Sequence, residues 1–277
     1  MTSNLNIGVM QGRLSPMINS QIQAFPYEYW EKEFKIASEN NIDSIEWIID
    51  EYENPITDDT QIYEIKKLSS KYNVKINSLC CDFFMNNLLF RISQNEQRKN
   101  LLVFKKLIKN ADSLGIKILE IPLVDSSSMK NEEEEEELIN NLKEITQNAK
   151  DLGILIGLET DYSPQKILKL LKKIDDENIV LNYDTGNSAS LGFDPKEELV
   201  LLGKYIKNIH IKDRKLHGNT VPLGEGNVDF DLFFSTLKEI DYKGDLILQG
   251  ARIKNEKPEI TCTKYRDFIM KYIERYF

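Results

Sequence analysis

Glu159, Asp184, His210 and Gln249 each end an apolar run, in Ile154-Leu-Ile-Gly-Leu-Glu159, Ile179-Val-Leu-Asn-Tyr-Asp184, Ile206-Lys-Asn-Ile-His210 and Asp245-Leu-Ile-Leu-Gln249. A parallel strand buried on both faces reads as such a run. Polar groups at its C-terminal end lie where α/β barrels carry their chemistry. Two carboxylates, an imidazole and an amide thus reach one rim. That set is hard and mostly oxygen, suited to a single divalent ion: Mn²⁺, Mg²⁺ or Co²⁺, with Zn²⁺ also within its range. Each residue alone has a plainer use, a strand-end carboxylate pairing with lysine or a histidine bonded within the core. Four in phase on successive strands point to one site.

The scaffold follows from the rest of the chain. Eight strand-like runs begin near residues 5, 42, 74, 116, 154, 179, 206 and 245, each followed by a helical pattern. Strands alternating with helices predict parallel sheet. Eight repeats predict an α/β fold, a single (β/α)8 TIM barrel occupying 1–277 as one domain. A doubly wound open sheet would carry a glycine fingerprint after the first strand; Gln11-Gly-Arg-Leu-Ser-Pro16 stands there instead. Helices are expected near 27–39, 60–71, 96–114, 230–241 and 260–276, with Gly115 a stop signal for the third. Asn131 reads as the N-cap of a helix ending at Gly153, and Ser163-Pro164 and Asp194-Pro195 as two further helix starts. The six glutamates Glu132 to Glu137 read as solvated groups complementing the positive end of a helix dipole.

Composition narrows the partners. A formal charge of -9 opposes nucleic acid and anionic membranes. No apolar run approaches the ~18 residues of a spanning helix. Met1 to Asn6 shows no basic segment leading into an apolar stretch, so no secretory signal is expected. Three cysteines, two of them the adjacent Cys80 and Cys81, make no disulfide framework and fit a reducing compartment. A cytoplasmic protein is expected.

Tyr183-Asp-Thr-Gly-Asn187, Ile209-His-Ile-Lys-Asp213 and Val221-Pro-Leu-Gly-Glu-Gly-Asn-Val-Asp-Phe230 carry a closer likeness. With them the chain resembles the xylose isomerase-like barrel family of sugar and sugar-phosphate isomerases and epimerases. Within it, the L-ribulose-5-phosphate (L-xylulose-5-phosphate) 3-epimerase branch is the most similar. The resemblance implies a small-molecule sugar or sugar-phosphate substrate, one divalent metal and, as often among relatives, a homo-oligomer. It implies metal ligands at Glu159, Asp184, His210 and the position of Gln249, with the two outer positions moving the proton in the family. Asn187, Lys212, Arg214, Glu225 and Arg252 are the implied sugar or phosphate contacts, although the cations could equally balance an acidic surface. His217 reads as a surface residue.

Gln249 departs from that pattern, where the family holds glutamate. An amide oxygen can still ligate, but it lowers the ligand charge by one and accepts no proton at neutral pH. Inversion at carbon normally needs a proton carrier on each face, whereas an aldose–ketose isomerisation can use one base along one face. Glu159 could serve the second alone; Glu46 or Asp213 could supply a second base; or the barrel binds metal and sugar with altered or lost chemistry. An apurinic-site endonuclease on this barrel would need a histidine-rich zinc cluster, and the chain has only His210 and His217.

Overall fold

In the computed structural model, which describes residues 5–277, the apolar runs close on one another. The strands, in chain order, are β1 (Ile7–Met10), β2 (Ser44–Ile48), β3 (Ser78–Cys80), β4 (Ile118–Leu123), β5 (Leu155–Thr160), β6 (Ile179–Asp184) and β7 (Ile206–Ile211). A short ribbon, β8 (Asp213–Arg214) with β9 (Thr220–Val221), precedes β10 (Asp245–Leu248). Among the described residues, β1 to β7 and β10 form a closed parallel barrel, with β10 pairing β1. The antiparallel ribbon stands outside that register.

The helices are α1 (Trp30–Glu39), α2 (Ile62–Tyr72), α3 (Phe83–Asn86), α4 (Gln94–Leu114), α5 (Glu132–Lys150), α6 (Pro164–Ile174), α7 (Thr185–Leu191), α8 (Pro195–Leu202), α9 (Phe230–Glu239) and α10 (Pro258–Tyr276). The short α3 and α7 were not expected. Each follows directly on a strand end, and α7 opens with Asp184 as its N-cap. The expectation of no secretory signal falls partly on residues 1–4, which lie outside the described residues. Among the described residues, no helix is long and apolar enough to cross a membrane.

Strand alternation sends one set of side chains to the helices and the other into the barrel. The outward set joins one large apolar core; Trp47, for example, meets Phe25 and Trp30 at ring distances of 5.3 and 5.5 Å. Inside the barrel, only Met10, Ile48, Cys80 and Ile247 form an apolar cluster. Ser44, Glu46, Ser78, Glu120, Asn182, Asn208 and His210 are buried polar residues on the strands. This interior is therefore polar, unlike the branched aliphatic layers usual in such barrels.

The acidic run is corrected in part. Asn131 does cap α5, its side chain accepting from the Glu134 amide at 2.9 Å. Glu134 and Glu135, however, are buried rather than solvated. Glu134 meets Arg91 at 3.4 Å, and Glu135 accepts from the Tyr162 hydroxyl at 3.0 Å and faces Lys166 at 3.4 Å. These partners come from distant segments, so nothing local in the run announces them. The helix also stops at Lys150, with Gly153 beyond it at φ +63°.

The two proline-led helix starts differ. Asp194 accepts from the Lys196 and Glu197 amides at 2.8 and 3.1 Å, whereas Ser163 makes no capping hydrogen bond. Asp194→Ala should therefore lower unfolding free energy by about 1 kcal/mol. Ser163→Ala should stay within about 0.5 kcal/mol of the native chain. Urea titrations of the two variants check the contrast, and equal losses would contradict it.

Candidate functional site

The register of β6 and β7 sets Asp184 beside His210. One turn of the alternation below, Asn182 Nδ2 donates to Glu159 Oε2 at 2.8 Å, tying β6 to β5. One ligand atom from each of Glu159, Asp184 and His210 lies within 4.8 Å of the others, and all three residues are buried. The sequence places these donors at the rim, and the fold brings them together there.

His210 is the hub of the barrel interior. Its Nε2 lies 2.6 Å from Glu46 Oε1 and 3.2 Å from Glu120 Oε2, and its Nδ1 lies 3.2 Å from Glu159 Oε2. Glu46 is itself held on its other oxygen by Ser78 Oγ and by Asn208 Nδ2 at 2.6 Å. Burial alone would pull the imidazole pKa down, but the charges of Glu120 and Glu46 outweigh it and push it well above the usual value. Burial likewise pushes Glu120 well up. Burial pushes Glu159 up too, yet hydrogen bonding and the charge of His210 win and hold it down to about 2. A neutral His210 bonded to Glu46 through Nε2–H would turn Nδ1 toward Glu159 as an acceptor, the arrangement of a metal-ligating histidine fixed by a carboxylate.

Asp184 divides its two oxygens. Oδ1 accepts from the Asn187 amide at 2.7 Å, starting α7, while Oδ2 meets Lys212 Nζ at 3.1 Å. Gly186 makes that approach feasible, because a Cβ there would stand 2.8 Å from Lys212 Cγ. Thr185 Oγ1 completes the seam, accepting from the Lys212 amide at 3.0 Å and donating to its carbonyl at 2.6 Å. The Asp-Thr-Gly-Asn phrase is thus a local device that cradles the segment after β7.

Gln249 continues β10, its amide donating to the Ile211 carbonyl at 3.0 Å. Its side-chain Nε2 donates to Gln23 Oε1 at 2.9 Å, and its Oε1 is buried with no hydrogen-bond partner among the described residues. A buried, unsatisfied amide oxygen is costly and asks for a partner. Gln249 shares a cavity wall with Glu159, and a cation is a fitting partner for an amide oxygen on the same wall as a carboxylate. The donor set therefore suits a divalent ion.

Glu159 and Gln249 line a cavity of about 510 Å³ together with Asn187, Lys212 and Arg214. Asn187 Nδ2 donates to Glu159 Oε1 at 2.7 Å, and Arg214 Nη1 donates to Asn187 Oδ1 at 2.9 Å. Arg252 lines a neighbouring cavity of about 520 Å³, its guanidinium donating to the Ser15 carbonyl at 2.7 Å and the Gly12 carbonyl at 2.5 Å. Glu225 is exposed on its loop and His217 is exposed as well. Asp213 spends its carboxylate on the amides of Gly224, Gly226 and Val228 at 2.9, 2.8 and 3.1 Å, which shapes that loop. Glu46 is fully buried beneath His210.

Several groups in the site carry no sequence signal of their own. Glu120 sits mid-strand in Ile118-Leu-Glu-Ile-Pro-Leu123 and lines the cavity, with neither oxygen hydrogen-bonded among the described residues. Arg13 and Gln23 reach it from the loop after β1, and Asp82 from the end of β3. Alternation on β4 could have marked Glu120 as inward-facing; the loop residues needed the folded chain.

The model of the xylose isomerase-like TIM barrel family matches residues 34–261. An uncharacterized protein of Methanocaldococcus jannaschii is 28% identical over 146 residues, 49% of this chain, and the match spans about half (48%) of that protein. The L-ribulose-5-phosphate 3-epimerase UlaE of Salmonella heidelberg is 25% identical over 253 residues, covering 87% of this chain and 89% of that one. A crystal structure of the IOLI protein with a bound zinc atom superposes with a TM-score of 0.80 at 17% identity, over 99% of each chain. With its closed eight-stranded barrel and a family match across most of its length, this chain belongs to the xylose isomerase-like TIM barrel family.

Proposed function

We propose that this protein is a divalent-metal-dependent isomerase or epimerase of a sugar or sugar phosphate, moving a proton through an enediolate at the C-terminal rim. One observation carries it: one ligand atom from each of Glu159, Asp184 and His210 lies within 4.8 Å of the others, and Glu159 shares a cavity wall with Gln249, whose Oε1 has no hydrogen-bond partner among the described residues. The relationship to a named sugar-phosphate epimerase supports the substrate class, and the zinc in one structural neighbour supports the metal. Glu159, Asp184, His210 through Nδ1 and Gln249 through Oε1 would hold the ion. When bound, it would polarise the sugar carbonyl and stabilise the charge that develops on the enediolate.

Glu159 is the proton carrier in this reading. Asn182 and Asn187 each fix one of its oxygens. Lys212 and Arg214 line the same cavity and would meet substrate oxygens there. Arg13 and Arg252 line the adjoining cavity, and each has an Nε without a partner among the described residues. Burial lowers both, Arg13 to about 10. Guanidiniums bonded mainly to carbonyls favour an anion as neighbour, which supports a phosphate on the substrate. Glu225, exposed on its loop, would act only if that loop folds inward.

Inversion requires a second carrier, and Gln249 cannot be one. Glu120 also lines the cavity wall, and burial raises its pKa well above the usual carboxylate range. The second reading, a barrel that binds metal and sugar with weakened or lost chemistry, is favoured by the amide at 249 alone.

Three outcomes are expected. The folded chain should take up about one Mn²⁺, stabilising it by mass action, and His210→Ala or Asp184→Ala should abolish that uptake in elemental analysis and thermal shift. Glu159→Gln should lower turnover by ~10²–10⁴-fold with little change in melting temperature; full activity would remove Glu159 from the role of base. The native chain should exchange solvent deuterium at one sugar carbon without inversion, and Gln249→Glu should raise epimerisation, both followed by NMR on pentuloses, hexuloses and their phosphates. Fast native epimerisation, unimproved by Gln249→Glu, would place the second carrier elsewhere.

A further inference from the structure

A glutamine at a cation site faces a problem that a glutamate does not. A carboxylate presents an oxygen whichever way it turns, whereas an amide presents an acceptor at one end and two donors at the other. Turned the wrong way, Gln249 would aim N–H groups at a positive ion. Something must fix its orientation.

We propose that Asp82 and Gln23 are positioning residues that leave the Gln249 carbonyl oxygen, and not its NH2, free to meet a cation held by Glu159, Asp184 and His210. The inference rests on the metal site proposed above. Three side chains form a single file of hydrogen bonds. Gln23 Nε2 donates to Asp82 Oδ2 at 2.6 Å, and Gln249 Nε2 donates to Gln23 Oε1 at 2.9 Å. Gln249 Oε1 is the free end of the file, buried and without a partner.

The direction of that file is dictated by its first member. Asp82 accepts on both oxygens, from Gln23 Nε2 on one and from Cys80 Sγ at 3.2 Å on the other. With both oxygens accepting, the NH2 of Gln23 must face it. The carbonyl of Gln23 then faces Gln249, and the NH2 of Gln249 must turn to meet it. Reversing either amide would set oxygen against oxygen along the file. The segment after β1, which carries Gln23, therefore reaches across the mouth to impose a polarity set 59 residues further along at Asp82.

Asp82→Asn tests the idea, because the new amide can donate to Gln23 and release the whole file to flip. Mn²⁺ titration followed by the electron-paramagnetic signal of the free ion reads the dissociation constant directly. In the native background, Asp82→Asn should weaken Mn²⁺ binding by ~10–100-fold, the usual effect of losing an outer partner of a metal ligand. In a Gln249→Glu background, it should cause no weakening, since a carboxylate has no wrong end. Gln23→Leu, which removes the acceptor for Gln249 without touching Asp82, should weaken binding in the native background as well. It serves as the test if Asp82→Asn does not fold. A native chain that binds no Mn²⁺ would overturn the metal site itself. Native binding with either variant within about twofold would overturn only the orientation, as that is a few tenths of a kcal/mol. Equal weakening in both backgrounds would mark Asp82 as a general structural support and also overturn it.

Discussion

Much of the barrel interior depends on one imidazole. His210 faces Glu46, Glu120 and Glu159 at 2.6 to 3.2 Å in a space closed to solvent. Charges so buried are tolerated only when paired and hydrogen-bonded. Asn182, Asn208 and Ser78 supply the bonds, and His210 supplies the countercharge. Lys212 does the same for Asp184 at the rim.

That balance has opposite pH limits. The raised His210 contributes stability below its unfolded pKa, and that contribution fades as pH rises through the folded value. Glu159, lowered to about 2, contributes above its unfolded pKa of 4.5 and loses the contribution as pH falls toward 2. A neutral working range lies between the two limits. The polar interior is a cost to packing that an aliphatic barrel would avoid. The cluster also keeps one polar atom from each of Glu159, Asp184 and His210 within 4.8 Å of the others.

The barrel was legible because its signals are local. Apolar runs ending in donors mark the strands, and Gly115, Asn131 and Asp194 mark helix ends that the fold keeps. The α7 helix was not legible, because Thr-Gly-Asn-Ser-Ala-Ser-Leu has too little apolar periodicity to announce itself. The ribbon of β8 and β9, two residues in each strand, is below any pattern's reach. Glu159, Asp184, His210 and Gln249 could be singled out because each ends its run. Glu120 ends no run, and only the alternation along β4 marks it as inward-facing. Contacts such as Glu134 with Arg91, or Gln249 with Gln23, join segments far apart in sequence and exist only once the chain has closed.

Closure also sets an order on synthesis. Glu46 and Glu120 leave the ribosome long before their cation, since His210 follows Glu46 by 164 residues. A nascent chain holding only β1 to β4 would have to keep those carboxylates wet or protonated, and could not bury them as ions. The edge strand β1 waits longer still, for β10. Domains generally fold as units as they emerge. Here the electrostatics run with the topology: β7 brings the imidazole to the carboxylates of β2 and β4, and β10 closes the barrel on β1.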